Sequence, residues 1–262
     1  MASFYFKKFV VEQSNSAMKV NTDGVLLAAW VSLDAPVKLL EIGSGTGVIS
    51  LIIAQRLEEI LSNNFNITAI DVDYNSYLES CNNFKNSIWS DNLEALHISL
   101  QDLYLDYKSS TVGQGKFNLI LSNPPFFTNS LPAPSKRRNI ARHNHSLPLE
   151  LLLESSTLLL KEGGLLAVVL PVEEGERLLE MVSANKEFIV KRVCKVKTVL
   201  SKPPKRYLIE LCMLKNTLLV AKDAHFEIKQ ETLVIQQKGG ECYTQEYNEL
   251  VKRFYLKELK TD

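Results

Sequence analysis

Short apolar runs alternate with longer helix-like segments over the first two thirds of the chain. Runs rich in Val, Ile and Leu predict strands, and the longer segments between them predict helices. The predicted strands are 37–42, 66–70, 95–99, 117–121 and 165–170. The predicted helices are 47–61, 74–84, 149–160, which stops at a glycine pair at 163–164, and 173–184. A strand followed by a helix, repeated along the chain, predicts a mostly parallel, doubly wound α/β sheet.

The pattern changes after the helix at 173–184. Two strand-like runs, 188–196 and 207–214, are separated by a loop that contains Pro203 and Pro204. A pair of adjacent strands joined by a short loop is expected to be antiparallel, so the sheet should end in an antiparallel strand pair. The tail at 243–256 predicts an amphipathic helix that closes the domain.

Composition places few restrictions on function but excludes several classes. The 262 residues are 45% hydrophobic and carry 30 basic and 30 acidic side chains, which is typical of a globular protein and excludes disorder, collagen and coiled coil. The four cysteines show neither a CxxC pair nor a histidine cluster, which argues against a zinc ribbon or a disulfide framework. No signal peptide or apolar run of about 18 residues is present, so we expect a cytoplasmic protein without a membrane partner.

A glycine-rich turn follows the first strand of the α/β pattern. Gly43, Gly45 and Gly47 alternate with Ser44 and Thr46 between the strand and the next helix, where the backbone turns tightly and a ligand can approach closely. A dinucleotide site has the spacing G-x-G-x-x-G, but here the third glycine comes one residue early. Glu41 precedes the turn and would repel a pyrophosphate, which disfavours an NAD-dependent dehydrogenase and favours a zwitterionic or cationic ligand.

Acidic residues follow the next two predicted strands. Asp71 ends the second strand, where a carboxylate can accept hydrogen bonds from both hydroxyls of a ribose. Asp73 starts the next helix, and its simpler role is to cap that helix. Asp102 follows the third strand and is either a ligand contact or a solvated loop residue. These positions lie at the carboxyl ends of parallel strands, where doubly wound sheets bind ligands.

The fourth strand ends in Asn123-Pro124-Pro125-Phe126, followed by Phe127. The two prolines remove two backbone donors and fix φ, so the carbonyls and the asparagine oxygen form an array of acceptors. An amide or exocyclic amino nitrogen needs such acceptors, because its lone pair is delocalised until its N–H groups are held. The motif therefore predicts catalysis on a planar nitrogen, with Asn123 and the Pro124 carbonyl as acceptors and Phe126 stacked on the substrate.

These motifs resemble those of known families. The glycine turn is similar to the first motif of class I S-adenosylmethionine-dependent methyltransferases, and Asn-Pro-Pro-Phe resembles the motif of enzymes that methylate adenine, guanine or glutamine amides. The N-terminal segment, F-Y-F-K-K-F at 4–9 and M-K-V-N-T-D-G-V-L-L-A-A-W at 18–30, closely resembles the opening of bacterial tRNA1(Val) adenine-N6 methyltransferases. Asn21 and Ala28 replace two glycines of that pattern.

The resemblance implies a Rossmann-like class I methyltransferase fold and S-adenosyl-L-methionine as the cofactor. It implies a methyl transfer to adenine N6 in tRNA, at the adenine 3′ of the anticodon in a valine tRNA. The residues expected to bind the cofactor are Lys19, Thr22, Asp23, Glu41, Gly43, Ser44, Gly45, Thr46, Gly47, Asp71, Asp102 and Asn123. Glu41 would face the methionine moiety and Asp102 the adenine amino group, while Thr22 could instead cap the following apolar helix. Residues 1–35 would close the cofactor and substrate site, and residues 36–262 would form the methyltransferase domain with a basic lid loop at 128–147.

Local charge is uneven despite the neutral total. Residues 43–108 carry three basic and nine acidic side chains, so this part should avoid phosphate. Residues 186–206 carry eight basic side chains and one acidic, and the proposed lid is also basic. The predicted tRNA surface comprises Phe126, Phe127, Lys136, Arg137, Arg138, Arg142, Lys195, Lys197, Lys202, Lys205 and Arg206. Charged side chains on edge strands can also serve only to prevent aggregation.

Alternative functions remain at this stage. A guanine-N2 ribosomal RNA methyltransferase or a protein glutamine-N5 methyltransferase would use the same chemistry, but the N-terminal resemblance disfavours both. A cofactor-binding RNA-binding module without turnover would need a damaged acceptor motif, and the motif at 123–126 is intact. His143 and His145 have no Cys, Asp or Glu at ligand spacing, so no metal site is expected. We expect a monomer.

Overall fold

The computed structural model describes residues 3–34, 38–109, 116–125, 147–184, 187–214, 228–237, 240–257 and 259–261. Several predicted substrate-binding residues lie outside these ranges: Phe126, Phe127, Lys136, Arg137, Arg138 and Arg142. Of the predicted lid loop at 128–147, all but the last residue also lies outside them.

The described residues form ten strands and seven α-helices, with a 3-10 turn at Ser90–Asn92. The strands are β1 (Ser3–Tyr5), β2 (Val10–Glu12), β3 (Lys38–Ile42), β4 (Asn66–Asp71), β5 (Leu93–His97), β6 (Phe117–Ser122), β7 (Leu160–Pro171), β8 (Phe188–Val199), β9 (Arg206–Met213) and β10 (Lys229–Gln236). The helices are α1 (Thr22–Trp30), α2 (Val48–Leu61), α3 (Tyr74–Lys85), α4 (Leu100–Ser109), α5 (Leu149–Leu159), α6 (Val172–Ala184) and α7 (Gln245–Val251).

Eight of the described strands form one sheet in the order β10-β8-β9-β7-β6-β3-β4-β5. Strand β9 is antiparallel to both β7 and β8, and every other pair is parallel. The predicted Rossmann-like, mostly parallel sheet with an antiparallel strand pair is confirmed. The prediction that the sheet ends at this pair is wrong, because β10 adds a parallel strand along β8.

Several predicted boundaries differ from the structure. The third strand of the α/β pattern is Leu93–His97, two residues earlier than predicted, and the unpredicted α4 follows it. The glycine pair at 163–164 does not stop α5, because the helix ends at Leu159 and the pair lies inside β7. Gly163 has φ of +71°, which glycine adopts without strain and which fits an irregularity in a strand. The closing helix is shorter than predicted, Gln245–Val251.

Both faces of the sheet are covered. One buried cluster joins the β1–β2 hairpin and helices α1, α2, α3 and α7 to the sheet, with Phe6, Val11 and Trp30 among its members. A second cluster packs α4, α5 and α6 on the opposite face. The N-terminal residues 3–34 therefore belong to the core of the main domain in packing terms, which a segment at the start of the chain does not reveal from its sequence.

The central strands end in register, and this positions the candidate site. Ile42 pairs with Ile70 of β4 on one side and with Ser122 of β6 on the other. Ser122 Oγ also donates a hydrogen bond of 3.0 Å to the Ile42 carbonyl. Neighbouring strands lie about 4.8 Å apart, so the residues that leave these three strands emerge side by side. Those residues are Gly43, Asp71 and Asn123.

Candidate functional site

The glycine turn is held against the end of β4. The backbone N–H groups of Gly43 and Ser44 both donate to the Ile70 carbonyl, at 2.9 and 3.0 Å. The Gly47 N–H donates to the Ser44 carbonyl at 2.7 Å. Gly43, Gly45 and Gly47 have φ of +78°, +54° and +76°, values that L side chains rarely adopt. The turn therefore requires glycine at all three alternating positions.

The three glycines have different surroundings. A Cβ at Gly43 would meet no described atom within 4 Å, so this backbone borders open space at the strand ends. A Cβ at Gly47 would lie 2.5 Å from Cε1 of Phe84, so Gly47 is required for packing against α3. The sequence grouped all three glycines as cofactor-binding residues. The structure places the approach of a ligand at Gly43.

This contrast gives a testable pair of variants. Gly43→Ala should lower the affinity for S-adenosyl-L-methionine at least tenfold, because the methyl group would occupy the ligand space, while backbone strain costs about 1–2 kcal/mol of stability. Gly47→Ala should destabilise the fold by about 1–3 kcal/mol more, because it adds a clash to the same strain. Calorimetric titration and thermal unfolding measure the two effects. Unchanged cofactor affinity in Gly43→Ala would remove Gly43 from the ligand site.

Asp71 joins the glycine turn to the start of α3. Its Oδ2 accepts the Gly45 N–H at 2.8 Å and its Oδ1 accepts the Asp73 N–H at 2.8 Å. The carboxylate is half-buried at the end of β4, beside Gly43 and Ser44. Its predicted contact with ribose hydroxyls stays a prediction, and the position at the strand end is compatible with it. The preference for Asp71 over Asp73 agrees with the structure, because Asp73 caps α3 by accepting the Ser76 N–H at 2.8 Å.

Asp102 lies in the first turn of α4, where the sequence suggested a ligand contact or a loop residue. Ser99 Oγ donates to Asp102 Oδ2 at 2.6 Å, and the Asp102 N–H donates to Ser99 Oγ at 3.0 Å. This reciprocal pair stabilises the helix start. The loop interpretation is wrong, because α4 begins before Asp102. The carboxylate is exposed near the carboxyl end of β5, and its contact with an adenine amino group stays a prediction.

Glu41 lies beneath the glycine turn and not at its surface. The residue is 1% exposed, and its Oε2 accepts the Ser50 N–H at 3.0 Å and a short hydrogen bond from Ser50 Oγ. Burial raises the pKa of Glu41 to about 8, with a smaller contribution from Asp71, although the Ser50 hydrogen bonds lower it. A neutral, buried carboxyl does not present a charge to a ligand. The prediction that Glu41 faces the methionine moiety as an acid therefore differs from the structure, since Glu41 instead ties β3 to α2.

The raised pKa of Glu41 predicts a pH-dependent stability. Between the ordinary pKa of 4.5 and about 8, the folded state holds a proton that the unfolded chain has lost. The free energy of unfolding should therefore fall as the pH rises through this window. Glu41→Gln removes this component, so its stability relative to the parent protein should increase from pH 5 to pH 9 by a few kcal/mol, at about 1.4 kcal/mol per pKa unit. Urea unfolding of both proteins at each pH tests this, and a difference that does not change with pH would contradict it.

The N-terminal segment crosses the glycine turn. Glu79 of α3 accepts the Asn15 N–H at 2.9 Å and the Ser16 N–H at 2.8 Å, which fixes the segment on this helix. Ser16 Oγ donates to the Met18 carbonyl at 3.1 Å. A Cβ at Gly45 would lie 3.6 Å from Ser16 Oγ and 3.8 Å from the Met18 carbonyl. Residues 15–18 therefore form one wall beside the turn.

The same segment reaches Asn123 of the acceptor motif. Asn123 Nδ2 lies 3.9 Å from the Met18 sulfur and donates a weak hydrogen bond to it. A Cβ at Gly24 would lie 3.6 Å from the same nitrogen. Among the residues that the structure describes, none donates a hydrogen bond to Asn123 Oδ1. The side chain is thus held by its amide nitrogen, and its acceptor oxygen is available to a substrate. Pro124 is buried and Pro125 is half-buried.

Lys19, Thr22 and Asp23 lie around the start of α1. Lys19 and Thr22 are exposed. The helix cap is Asn21 and not Thr22, because Asn21 Oδ1 accepts the Gly24 N–H at 2.9 Å. This cap stands where the family pattern has glycine. Cofactor contacts of Lys19 and Thr22 stay predictions.

Asp23 and Arg206 were assigned to two different ligands, but the structure pairs them. Arg206 Nε donates to Asp23 Oδ2 at 2.8 Å, and both side chains are about one-third exposed, at 38% and 32%. Arg206 begins β9 and pairs with Pro171 at the end of β7, so this contact lies at the carboxyl edge of the sheet. The ion pair ties the β8–β9 hairpin to α1, the helix that packs beside Asn123.

The remaining predicted basic residues lie on the β8–β9 hairpin. Lys195 and Lys205 are exposed, and the Lys195 ammonium lies 5.8 Å from the Tyr207 ring centroid. Lys197 Nζ donates to the Leu200 carbonyl at 3.2 Å. Since β8 is parallel to β7, the hairpin tip projects from the same edge as the glycine turn and the acceptor motif.

The opposite end of α1 is anchored by buried charges. Ser32 donates to the carboxylate of Glu210 through its N–H at 2.6 Å and its Oγ at 3.0 Å, and Glu210 is completely buried. Arg192 stacks on the Trp30 ring at 4.1 Å and donates to Glu231 at 2.9 Å. These contacts fix α1 at both ends, so the position of Gly24 beside Asn123 is rigidly defined.

Sequence reasoning missed Ser16, Met18 and Glu79, which bring the segment, the glycine turn and Asn123 together. Met18 is part of the quoted family pattern, so the pattern gave a signal, but no signal marked its contact partner. Within the described ranges, no helix is long and apolar enough to cross a membrane, and no group of three or more His, Cys, Asp or Glu side chains could hold a metal ion.

Comparisons with known proteins agree with this geometry. The model of the methyltransferase small domain family matches residues 14–196. A tRNA1(Val) (adenine(37)-N6)-methyltransferase of Flavobacterium psychrophilum is 35% identical, over 97% of this chain and 99% of the relative. The enzyme of the same name from Trichodesmium erythraeum is 38% identical, over 97% and 98%.

Solved structures show the same fold at low sequence identity. A predicted O-methyltransferase from Agrobacterium tumefaciens is 14% identical, with a TM-score of 0.64 over 88% of this chain and 96% of the other. An O-methyltransferase from Bacillus cereus, solved in complex with SAH, is 17% identical, with a TM-score of 0.51 over 76% and 84%.

Proposed function

Because the chain belongs to the tRNA1(Val) (adenine(37)-N6)-methyltransferase family, we propose that it transfers a methyl group from S-adenosyl-L-methionine to the exocyclic N6 of an adenine in tRNA. The proposed target is the adenine 3′ of the anticodon in tRNA1(Val). The observation that carries the proposal is the convergence of the glycine turn and Asn123, which Met18 bridges from one to the other.

The residues present fit the cofactor. Gly43 borders open space at the strand ends, and no side chain of the described residues fills the position that its Cβ would take. Asp71 lies beside this space with a carboxylate suited to ribose hydroxyls, and residues 15–18 form a wall on the other side. When bound, S-adenosyl-L-methionine supplies a methyl group on a positively charged sulfur, which makes that carbon electrophilic.

The chain's own contribution is to hold and activate the amine. Asn123 Oδ1 and the Pro124 carbonyl would each accept a hydrogen bond from the adenine amino group. Two acceptors favour a nitrogen whose lone pair is less delocalised into the ring and which is therefore more nucleophilic. The fixed distance between Asn123 and Gly43 supplies proximity, which can contribute several kcal/mol to the barrier reduction. Phe126 is proposed to stack on the extruded base.

Charge supports the carboxyl edge as the tRNA surface. The β8–β9 hairpin presents Lys195, Lys202 and Lys205 at this edge, and no acidic residue occurs between 188 and 206. The predicted lid at 128–147 follows the acceptor motif and would add further basic side chains, including Arg137 and Arg138. We propose that the enzyme acts as a monomer in the cytoplasm, where tRNA is modified.

Incubation with isotopically labelled S-adenosyl-L-methionine and tRNA that lacks this modification tests the proposal. Nucleoside mass spectrometry should find labelled N6-methyladenosine, and digestion of the tRNA should place it next to the anticodon of tRNA1(Val). Labelled N2-methylguanosine in ribosomal RNA, or labelled glutamine in protein, would instead support one of the related chemistries. Cofactor binding without any transfer would reduce the protein to a binding module.

A further inference from the structure

The tip of the β8–β9 hairpin combines rigidity with an exposed apolar side chain. Leu200 is 73% exposed. The tip around it is fixed by two backbone hydrogen bonds, Lys202 N–H to the Val199 carbonyl at 3.1 Å and Lys205 N–H to the Val196 carbonyl at 2.8 Å. Lys197 Nζ additionally donates to the Leu200 carbonyl at 3.2 Å. The leucine therefore projects from an ordered turn and has a defined position.

The charge around Leu200 indicates what it would contact. Residues 195–206 contain five basic side chains and no acidic one. A single exposed leucine needs no explanation by itself. An exposed leucine among phosphate-binding side chains, however, matches proteins that hold nucleic acid by its phosphates and insert an apolar residue against the bases.

The position of the tip relative to Asn123 gives the contact a role. Strand β8 is three positions from β6 in the sheet order, which corresponds to about 14 Å at the usual strand spacing. A base that rotates out of its stack into a pocket leaves a gap on the order of 10 Å from that pocket. The ion pair between Arg206 and Asp23 fixes the hairpin relative to α1, so this separation is maintained.

We infer that Leu200 is an RNA-contacting residue that packs against the bases next to the target adenine when that adenine leaves the stack. This inference rests on the proposed function, because it requires an RNA substrate. The neighbouring lysines would hold the phosphates, and Leu200 would stabilise the open stack. The residue would therefore act on the extruded state of the RNA more than on overall RNA affinity.

The test compares Leu200→Ala with Ile88→Ala on an anticodon stem-loop of tRNA1(Val). Ile88 is 69% exposed and follows the end of α3 at the opposite edge of the sheet, so it is a matched control. Leu200→Ala should lower the single-turnover methylation rate at saturating RNA about tenfold, since stacking contacts of this kind are worth that much or more. Its RNA affinity should change less than about threefold. With 2-aminopurine at the target position, the fluorescence increase on binding should also diminish.

A second RNA separates this role from a structural one. An abasic site beside the target adenine weakens the stack, so Leu200→Ala should approach the parent rate on this RNA, while a distorted active site would remain slow. A parent rate for Leu200→Ala on the normal RNA, an equal defect on both RNAs, or a change in the oligomeric mass would overturn the inference. If the parent protein itself forms no N6-methyladenosine, the proposed function fails and the inference about Leu200 fails with it.

Discussion

Asn123→Ala should lower the methylation rate by about 100- to 1000-fold, because it removes an acceptor positioned for the reacting amine. The affinity for S-adenosyl-L-methionine should stay within about threefold, since the side chain contacts Met18 and the surroundings of Gly24 rather than the glycine turn. Single-turnover methylation of tRNA and calorimetric titration of the cofactor measure the two quantities.

Asn123→Asp is the informative companion variant. Aspartate keeps an acceptor oxygen but loses the Nδ2 contact with the Met18 sulfur, so it should retain more activity than the alanine variant. Both variants should unfold within a few degrees of the parent protein, because Asn123 is only half-buried. A large loss of cofactor affinity together with retained turnover would reject the assignment of Asn123 as the amine acceptor.

The central strands of the fold could be predicted from the sequence because their runs are almost continuously apolar. Residues 117–122 are one example, since a strand buried on both faces carries little polar side chain. Strand β10 was missed because its sequence, KQETLVIQ, begins with polar residues and contributes one fully buried side chain, Leu233. Its pairing with β8 is a tertiary interaction that local pattern does not encode. The same applies to α4, which has few apolar positions.

The candidate site was predictable to the extent that topology determines it. Gly43, Asp71 and Asn123 end adjacent parallel strands, and the rule that ligands bind at the carboxyl edge was sufficient to group them. The burial of Glu41 was not predictable, because the side that a strand residue faces depends on how helices cover the sheet. The contact between Asp23 and Arg206 joins residues 183 positions apart, and no local spacing indicates it.

The hairpin lysines give a prediction about RNA affinity. Lys195, Lys202 and Lys205 are exposed at the carboxyl edge, while Lys197 and Arg206 have structural partners in Leu200 and Asp23. Replacing the three exposed lysines with glutamine therefore removes charge without loosening the hairpin. The matched control replaces Lys38, Lys85 and Lys161, which are exposed near the opposite edge, where β3, α3 and β7 begin or end.

The triple hairpin variant should bind tRNA about 10- to 100-fold more weakly at moderate salt, because each lysine that contacts a phosphate releases a condensed counterion. The slope of log affinity against log salt should become shallower by about 2, at roughly 0.7 per phosphate contact on a single strand. The control variant has the same net charge, so it should keep the parent slope if the effect depends on position and not on total charge. Filter binding from 50 to 300 mM KCl would be a suitable measurement. Equal slopes in the two triple variants would place the RNA elsewhere and leave the hairpin charges as protection of the sheet edge against aggregation.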